Sequence, residues 1–358
     1  MAKRPARRSK RRKSAPRAKT ATPGSGPVTL AQARALAKAQ TPLPKGGKAA
    51  LVPATPASVG MERRKLALKQ EQERRRRIRE YKATLAVMKK RGVKGLGPKP
   101  RKGVPAAKGG PTPLQVFAEG DSWFDYPYPF FGGGVIPRLE DRLGVPILNL
   151  AKAGDEVRYM LGVKERKLLI EQFTQGCPAG GAWDAMLFSG GGNDIVDNPM
   201  VLWIKTYNAA MPPVALIDKA RFGAALALVR AGYEDLIGLR DALSPATHLF
   251  FHAYDFALPD GRGACHLGPW LKPTFDLRGF PDQASAFEVV KIMLGEFAAV
   301  LQSLEAAHAK VTFINGQGTL APRTSSWHNE LHPSKAGFKT FASLFHQKLK
   351  AVFPTRVL

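Results

Sequence analysis

A serine, an asparagine and a histidine stand in this sequence where acyl-transfer chemistry would need them. Ser122 lies in Gly120-Asp121-Ser122-Trp123, directly after the apolar run Leu114-Gln115-Val116-Phe117-Ala118. Asn193 lies in Ser189-Gly190-Gly191-Gly192-Asn193-Asp194, after a further apolar run, and Trp327-His328-Asn329-Glu330-Leu331-His332-Pro333 brings histidine near the C-terminus. A hydroxyl at a strand end can act as nucleophile and an imidazole as general base, while amide N–H groups stabilise a developing oxyanion. Gly120 permits the tight backbone that exposes the hydroxyl. Alone, Gly-Asp-Ser is an ordinary turn or helix cap. The companion segments give it weight. In Asn149-Leu150-Ala151-Lys152-Ala153-Gly154 the last residue offers an unobstructed backbone N–H, and the glycines before Asn193 let the backbone approach a substrate.

These residues need a frame, and the texture after Pro113 supplies one. Leu114 to Ala118, Pro146 to Leu150, Trp183 to Phe188, Thr247 to Ala253 and Lys310 to Ile314 read as short buried strands. Helical patterns separate them near Val135 to Leu143, Val157 to Phe173, Ile217 to Ala242 and Phe287 to His308, and Lys335 to Val352 follows. Short apolar strands alternating with helices predict an α/β fold, a parallel sheet covered on both faces. Ligand sites in such sheets lie beyond the carboxyl ends of the strands. Each chemical segment falls at such an end.

On Gly120-Asp121-Ser122, Gly154, Gly191-Gly192-Asn193-Asp194 and His332-Pro333, in that order, the chain resembles the SGNH (GDSL-type) hydrolase superfamily over residues 114 to 352. The resemblance implies a flavodoxin-like three-layer α/β/α sandwich with a five-stranded parallel sheet. It also implies Ser122 as nucleophile, His332 as base, and an oxyanion hole made of the Ser122 N–H, the Gly154 N–H and the Asn193 amide. The family usually carries Asp three residues before the histidine, where this chain has Asn329. A neutral amide accepts a hydrogen bond from imidazole but supplies no charge to imidazolium, and the corresponding change in a serine protease triad costs about 10⁴ in rate. Three arrangements are compatible with that departure: a Ser–His dyad whose ring is held by a backbone carbonyl near Trp327, a carboxylate from Glu330 or Asp194, or a weakened site.

His248 and His252 read as core or strand-end residues. Cys265-His266 lacks partners at ligand spacing, so no metal is expected, and no cofactor. The Gly/Pro-rich segment from Pro259 to Trp270 reads as a lid or substrate wall. Aromatic residues cluster beside the serine, and Trp123, Phe124, Tyr126 and Trp270 are candidates for lining an acyl or alcohol pocket. Cys177 and Cys265 are the only cysteines and read as reduced thiols.

Charge divides the chain. The chain's net charge is +27, and residues 1 to 110 hold +28, with 32 Lys and Arg against 4 Asp and Glu, while the remainder holds 23 against 24. A basic arm on a near-neutral body is suited to polyanions: nucleic acid, anionic lipid or another acidic polymer. Residues 1 to 61 read as a disordered basic tail with a transient helix at Ala31 to Gln40, residues 62 to 91 as a basic helix, 92 to 113 as a linker, and 114 to 358 as the hydrolase domain. The stripe Ile78, Tyr81, Leu85 and Met88 either rests on the body or faces nucleic acid or lipid. With every catalytic block beyond residue 113, the body is expected to keep activity without the arm. No run of about 18 apolar residues occurs and no secretory h-region develops, so no transmembrane segment is expected. Cytoplasmic location is the default, and an Arg-rich start also suits an organelle transit peptide. The leading function is hydrolysis of acyl esters through an acyl-enzyme, with the arm as a tether. The alternative is a polyanion-binding protein with a vestigial hydrolase body.

Overall fold

The computed structural model describes residues 28–39, 56–91, 113–126, 133–263 and 268–357. Five strands, β1 (Val116–Gly120), β2 (Ile147–Asn149), β3 (Ala185–Ser189), β4 (His248–His252) and β5 (Val311–Ile314), form one parallel sheet in the order β2-β1-β3-β4-β5. All five expected strands are present, displaced by a residue or two. β1 ends at Gly120, so Asp121 and Ser122 leave the sheet at once. β1 and β3 are buried along their whole length, which is why they read as continuous apolar runs.

Ten α-helices occur among the described residues: α1 (Leu30–Ala39), α2 (Pro56–Arg91), α3 (Val135–Leu143), α4 (Val157–Met160), α5 (Val163–Gln175), α6 (Gly192–Ile195), α7 (Lys219–Leu243), α8 (Lys272–Leu277), α9 (Gln283–Ala307) and α10 (Lys335–Val352). α3 and α10 pack together on one face of the sheet; α5, α7 and α9 pack side by side on the other. This is the flavodoxin-like three-layer sandwich, and β1 and β3 flank the point where its strand order reverses. The single helix expected from Val157 to Phe173 is broken. Gly162 takes an extended conformation there and serves as the N-cap of α5. α7, α9 and α10 begin where Asp218, Asp282 and Ser334 accept hydrogen bonds from backbone N–H groups in the first turn.

The arm departs most from expectation. Within the stretch read as disordered, α1 is an ordered helix opened by a reciprocal cap: Thr29 N–H donates to Gln32 Oε1 at 3.0 Å, and Gln32 N–H to Thr29 Oγ1 at 3.3 Å. Its Leu30 and Ala33 pack with Val28 and with Met88 of α2. α2 lies along the β2 edge, with Tyr81 buried against Trp183 and with Ile78 and Leu85 packed on the core. Ile78, Tyr81 and Leu85 of the apolar stripe therefore rest on the body while Met88 packs under α1, and removing α2 would uncover this surface. A body without the arm is not expected to stand intact. Residues 1–27, 40–55 and 92–112, which include most of the tail and the linker, lie outside the described residues. None of the described helices is long and apolar enough to cross a membrane.

Candidate active site

Ser122 sits in a turn closed by Asp121, whose carbonyl accepts from the N–H groups of Phe124 at 3.1 Å and Asp125 at 3.0 Å. The Asp121 N–H donates to Ser189 O at 3.0 Å across the β1–β3 pair. Only glycine fits at position 120, because a Cβ there would stand 2.6 Å from that carbonyl oxygen.

The Ser122 hydroxyl lies 2.6 Å from Nε2 of His332, brought from the segment after β5. The other ring nitrogen, Nδ1, lies 2.9 Å from Asn329 Oδ1. The same oxygen accepts from the backbone N–H groups of Leu331 at 3.0 Å and His332 at 2.9 Å, while Asn329 Nδ2 donates to the Tyr126 hydroxyl at 3.0 Å. Two backbone donors on Oδ1 and an acceptor on Nδ2 fix the amide's orientation, so Nδ1 carries the ring proton and Nε2 turns its lone pair to Ser122. Tyr126 completes the mount. Its hydroxyl bonds His328 Nδ1 at 2.6 Å, and its ring stacks on His332 with centroids 4.3 Å apart. Burial, helped by the neighbouring His328, pushes the His332 imidazole down from 6.5 to about 3, so the ring is neutral at physiological pH, with its Nε2 lone pair free.

The sequence left three arrangements open for this ring, and the geometry differs from the first two. The Trp327 carbonyl accepts from the Arg262 guanidinium at 3.0 Å rather than from His332. Glu330 is buried beneath the loop after β4, where its carboxylate accepts from the N–H groups of Gly261, Trp270, Leu271 and Lys272. Burial pushes its carboxyl up against the pull of those donors. Asp194 accepts from the Val157 N–H at 3.0 Å, at the start of α4. Both carboxylates anchor loops, and the Asn329 amide holds the ring in their place.

Two backbone donors of the expected oxyanion hole are uncommitted: none of the described residues accepts from the N–H of Ser122 or of Gly154. Gly154 is exposed on the loop after β2, with φ +83°, a conformation glycine adopts freely. Asn193, in α6 after β3, gives one Nδ2 hydrogen to Asp155 O at 2.9 Å and keeps its second. A small cleft is walled by Ser122, His332 and Asn193 on its polar side and by Val196, Leu294 and Leu331 on its apolar side. Gly154 stands outside that wall.

Of the four aromatic candidates, Trp123 lines the cleft, with its indole N–H on Leu331 O at 3.2 Å, and Trp270 turns an edge to His332 at 5.9 Å. Phe124 and Tyr126 do not line it. The tight turn sends Phe124 into the core, stacked on His252 and edge-on to Phe345, and Tyr126 beneath His332. Cys265 and His266 lie outside the described residues; Cys177 is a buried free thiol.

Behind the nucleophile lies a second polar cluster that the sequence only partly signalled. Ser189 Oγ donates to Asp121 Oδ1 at 2.9 Å and lies 2.8 Å from His252 Nε2, while the Tyr254 hydroxyl donates to Asp121 Oδ2 at 2.5 Å. Burial pushes Asp121 up to about 6 and His252 down to about 4. Tyr254 was missed as a site residue, and Tyr126 was read only as pocket lining, because their partners are more than 100 positions away in the chain.

All four blocks stand at strand ends: Ser122 after β1, Gly154 after β2, Asn193 after β3 and His332 after β5. The sheet is the flavodoxin-like one that the resemblance to the SGNH (GDSL-type) hydrolases implied. No family model matches the sequence and no curated protein matches it. Among solved structures, a lipase from a goat rumen metagenome is similar at 16% identity, covering 65% of this chain and 96% of that one, with a TM-score of 0.44. An extracellular lipase from Streptomyces rimosus is similar at 16% identity, over 65% of this chain and 99% of that one, with a TM-score of 0.41. A family 3 carbohydrate esterase from Clostridium thermocellum is similar at 15% identity, over 69% and 100%, with a TM-score of 0.40.

Proposed function

We propose that residues 114 to 358, with α1 and α2 packed on them, form a serine esterase that cleaves carboxylic esters through an acyl-enzyme. The observation that carries this is the 2.6 Å contact between Ser122 Oγ and His332 Nε2, with Asn329 holding the opposite nitrogen at 2.9 Å. His332 takes the hydroxyl proton as Ser122 Oγ attacks the ester carbonyl carbon. The negative charge that develops on the carbonyl oxygen is met by the N–H groups of Ser122 and Gly154 and by the second Nδ2 hydrogen of Asn193. Collapse breaks the bond to the alcohol oxygen, which leaves with the proton from His332. Water, deprotonated by the same imidazole, then attacks the acyl-enzyme and frees the acid and Ser122. No group in this cycle is a metal or cofactor.

Asn329 gives His332 its tautomer and orientation without adding charge. The severe loss seen when a protease Asp becomes Asn comes from the wrong tautomer. Here the amide is locked the productive way round, so that penalty does not apply, although imidazolium forms without a counter-charge. The test is turnover of p-nitrophenyl acetate by the full chain. Ser122→Ala is expected to lower kcat by about 10³ or more, and wild-type turnover in that variant would contradict the assignment.

The arm supports a second, additive role in binding polyanions. Lys69, Arg79, Lys82, Lys89 and Lys90 are exposed along α2, and residues 1–27 add further Lys and Arg. Binding to duplex DNA or heparin is expected to weaken steeply with salt, with a slope of about −0.9 per phosphate neutralised on DNA. Binding that ignores salt would contradict this role.

A further inference from the structure

We propose that α2 is part of the catalytic support, with Gln70 and Arg77 as positioning residues for the oxyanion loop. The proposal rests on the reading of Gly154 as an oxyanion donor. The decisive contact is Gln70 Nε2 donating to Ala153 O at 2.8 Å. That carbonyl belongs to the same peptide unit as the Gly154 N–H. A peptide bond is planar and, here, trans, so its C=O and N–H point in opposite directions. Holding the Ala153 carbonyl toward α2 therefore fixes the direction of the Gly154 N–H away from it.

The local turn does not do this by itself: Asp155 N–H donates to Lys152 O at 3.2 Å, a bond that a β-turn keeps with its central 153–154 peptide facing either way. Gly154 has φ +83°, and a Cβ built on it would meet nothing within 4 Å, so neither a side chain nor packing stops the 153–154 peptide from turning over. Arg77 secures the same loop two peptide units earlier and ties it to the nucleophile. Its guanidinium bonds both Ala151 O and the Asp125 carboxylate. Asp125 is the residue whose N–H closes the Ser122 turn on Asp121 O. A chain of charges continues the grip: the buried Arg74 pairs with Glu165 at 3.3 Å, Glu165 with Lys152 at 3.0 Å, and Lys152 with Asp155 at 2.9 Å. Asn193 holds the loop from the opposite side, through Asp155 O. The two loops that carry the nucleophile and the Gly154 donor are thus clamped to one helix that precedes the hydrolase unit in the chain.

The test uses the full chain with p-nitrophenyl acetate and a boronic acid as an oxyanion-mimicking inhibitor. Gln70→Glu keeps the shape but replaces the donor with an acceptor that opposes the Ala153 carbonyl, whereas Gln70→Lys keeps a donor at similar reach. Gln70→Glu and Gln70→Ala are expected to lower kcat about 10- to 100-fold with KM within about twofold, and to weaken the boronic acid in proportion. Gln70→Lys should recover much of the loss. Leu85→Ala, on the same helix but packed only against the core, should lower Tm while leaving kcat of the folded protein unchanged. Wild-type kcat in Gln70→Glu, with turnover still abolished by Ser122→Ala, would overturn this proposal alone. Turnover that survives Ser122→Ala would overturn the esterase reading, and this proposal with it.

Discussion

Two serine–histidine pairs lie within this one fold, about the same distance apart, and only one faces a cleft. Ser122 meets His332 at 2.6 Å and Ser189 meets His252 at 2.8 Å. Both imidazoles are buried, and burial pushes both well below the ordinary histidine value. The difference lies in what surrounds the hydroxyl. Ser189 is fully buried on β3, and its proton is given to Asp121. Ser122 is partly open, its own N–H is uncommitted, and Asn193 shares its cleft. A hydroxyl–imidazole contact is therefore not a nucleophile by itself; access and charge-stabilising donors make it one. The rear pair braces the turn that presents the front one, through Asp121.

Substitutions at the two histidines should separate the pairs most sharply. His332→Ala is expected to lower kcat by about 10³ or more, whereas His252→Ala should lower Tm and change kcat of the folded protein less than about tenfold, both read from ester turnover beside thermal melts. Next in size is the donor unique to the front pair. Asn193→Ala should reduce kcat by about 10² to 10³, and a rise in KM at constant kcat would instead make Asn193 a ground-state contact.

A subtler change tests the neutral mount of His332. The base works only when unprotonated. With its affinity for protons lowered to about 3, activity should persist as pH falls through 6.5 and be lost only well below it. In Asn329→Asp, a carboxylate receiving the Leu331 and His332 N–H groups would favour imidazolium. The acid limb of the kcat profile should then move up by about 1 to 3 pH units, so the variant loses rate at a pH where the wild type does not. An unmoved limb would mean that the residue at 329 does not govern the ring. The smallest effect on turnover is expected from Ser189→Ala, which strips a partner from both Asp121 and His252. It should cost about 1 to 3 kcal/mol of stability, measured by denaturant unfolding, with kcat nearly unchanged.

The fold was legible because buried parallel strands write themselves as short apolar runs and helices separate them at regular intervals. The break at Gly162 was not, since the apolar pattern continues across it. Ser122, Asn193 and His332 were visible as residue types at strand ends. The mount of His332 was hidden, because it depends on which way an amide faces, and that is set by two backbone N–H groups and a tyrosine 203 positions away. The stripe Ile78, Tyr81, Leu85 and Met88 announced that α2 had a face to bury. Its use of Gln70 and Arg77 could not be read, because polar residues on a basic helix look alike until a partner carbonyl is placed opposite them.

The central claim is that Ser122, and not Ser189, is the activated nucleophile. The most direct test is to treat the full chain with a fluorophosphonate and map the adduct by mass spectrometry. The account predicts stoichiometric modification at Ser122, none at Ser189, and loss of labelling in His332→Ala. An unmodified chain, or an adduct on any other serine, would contradict it.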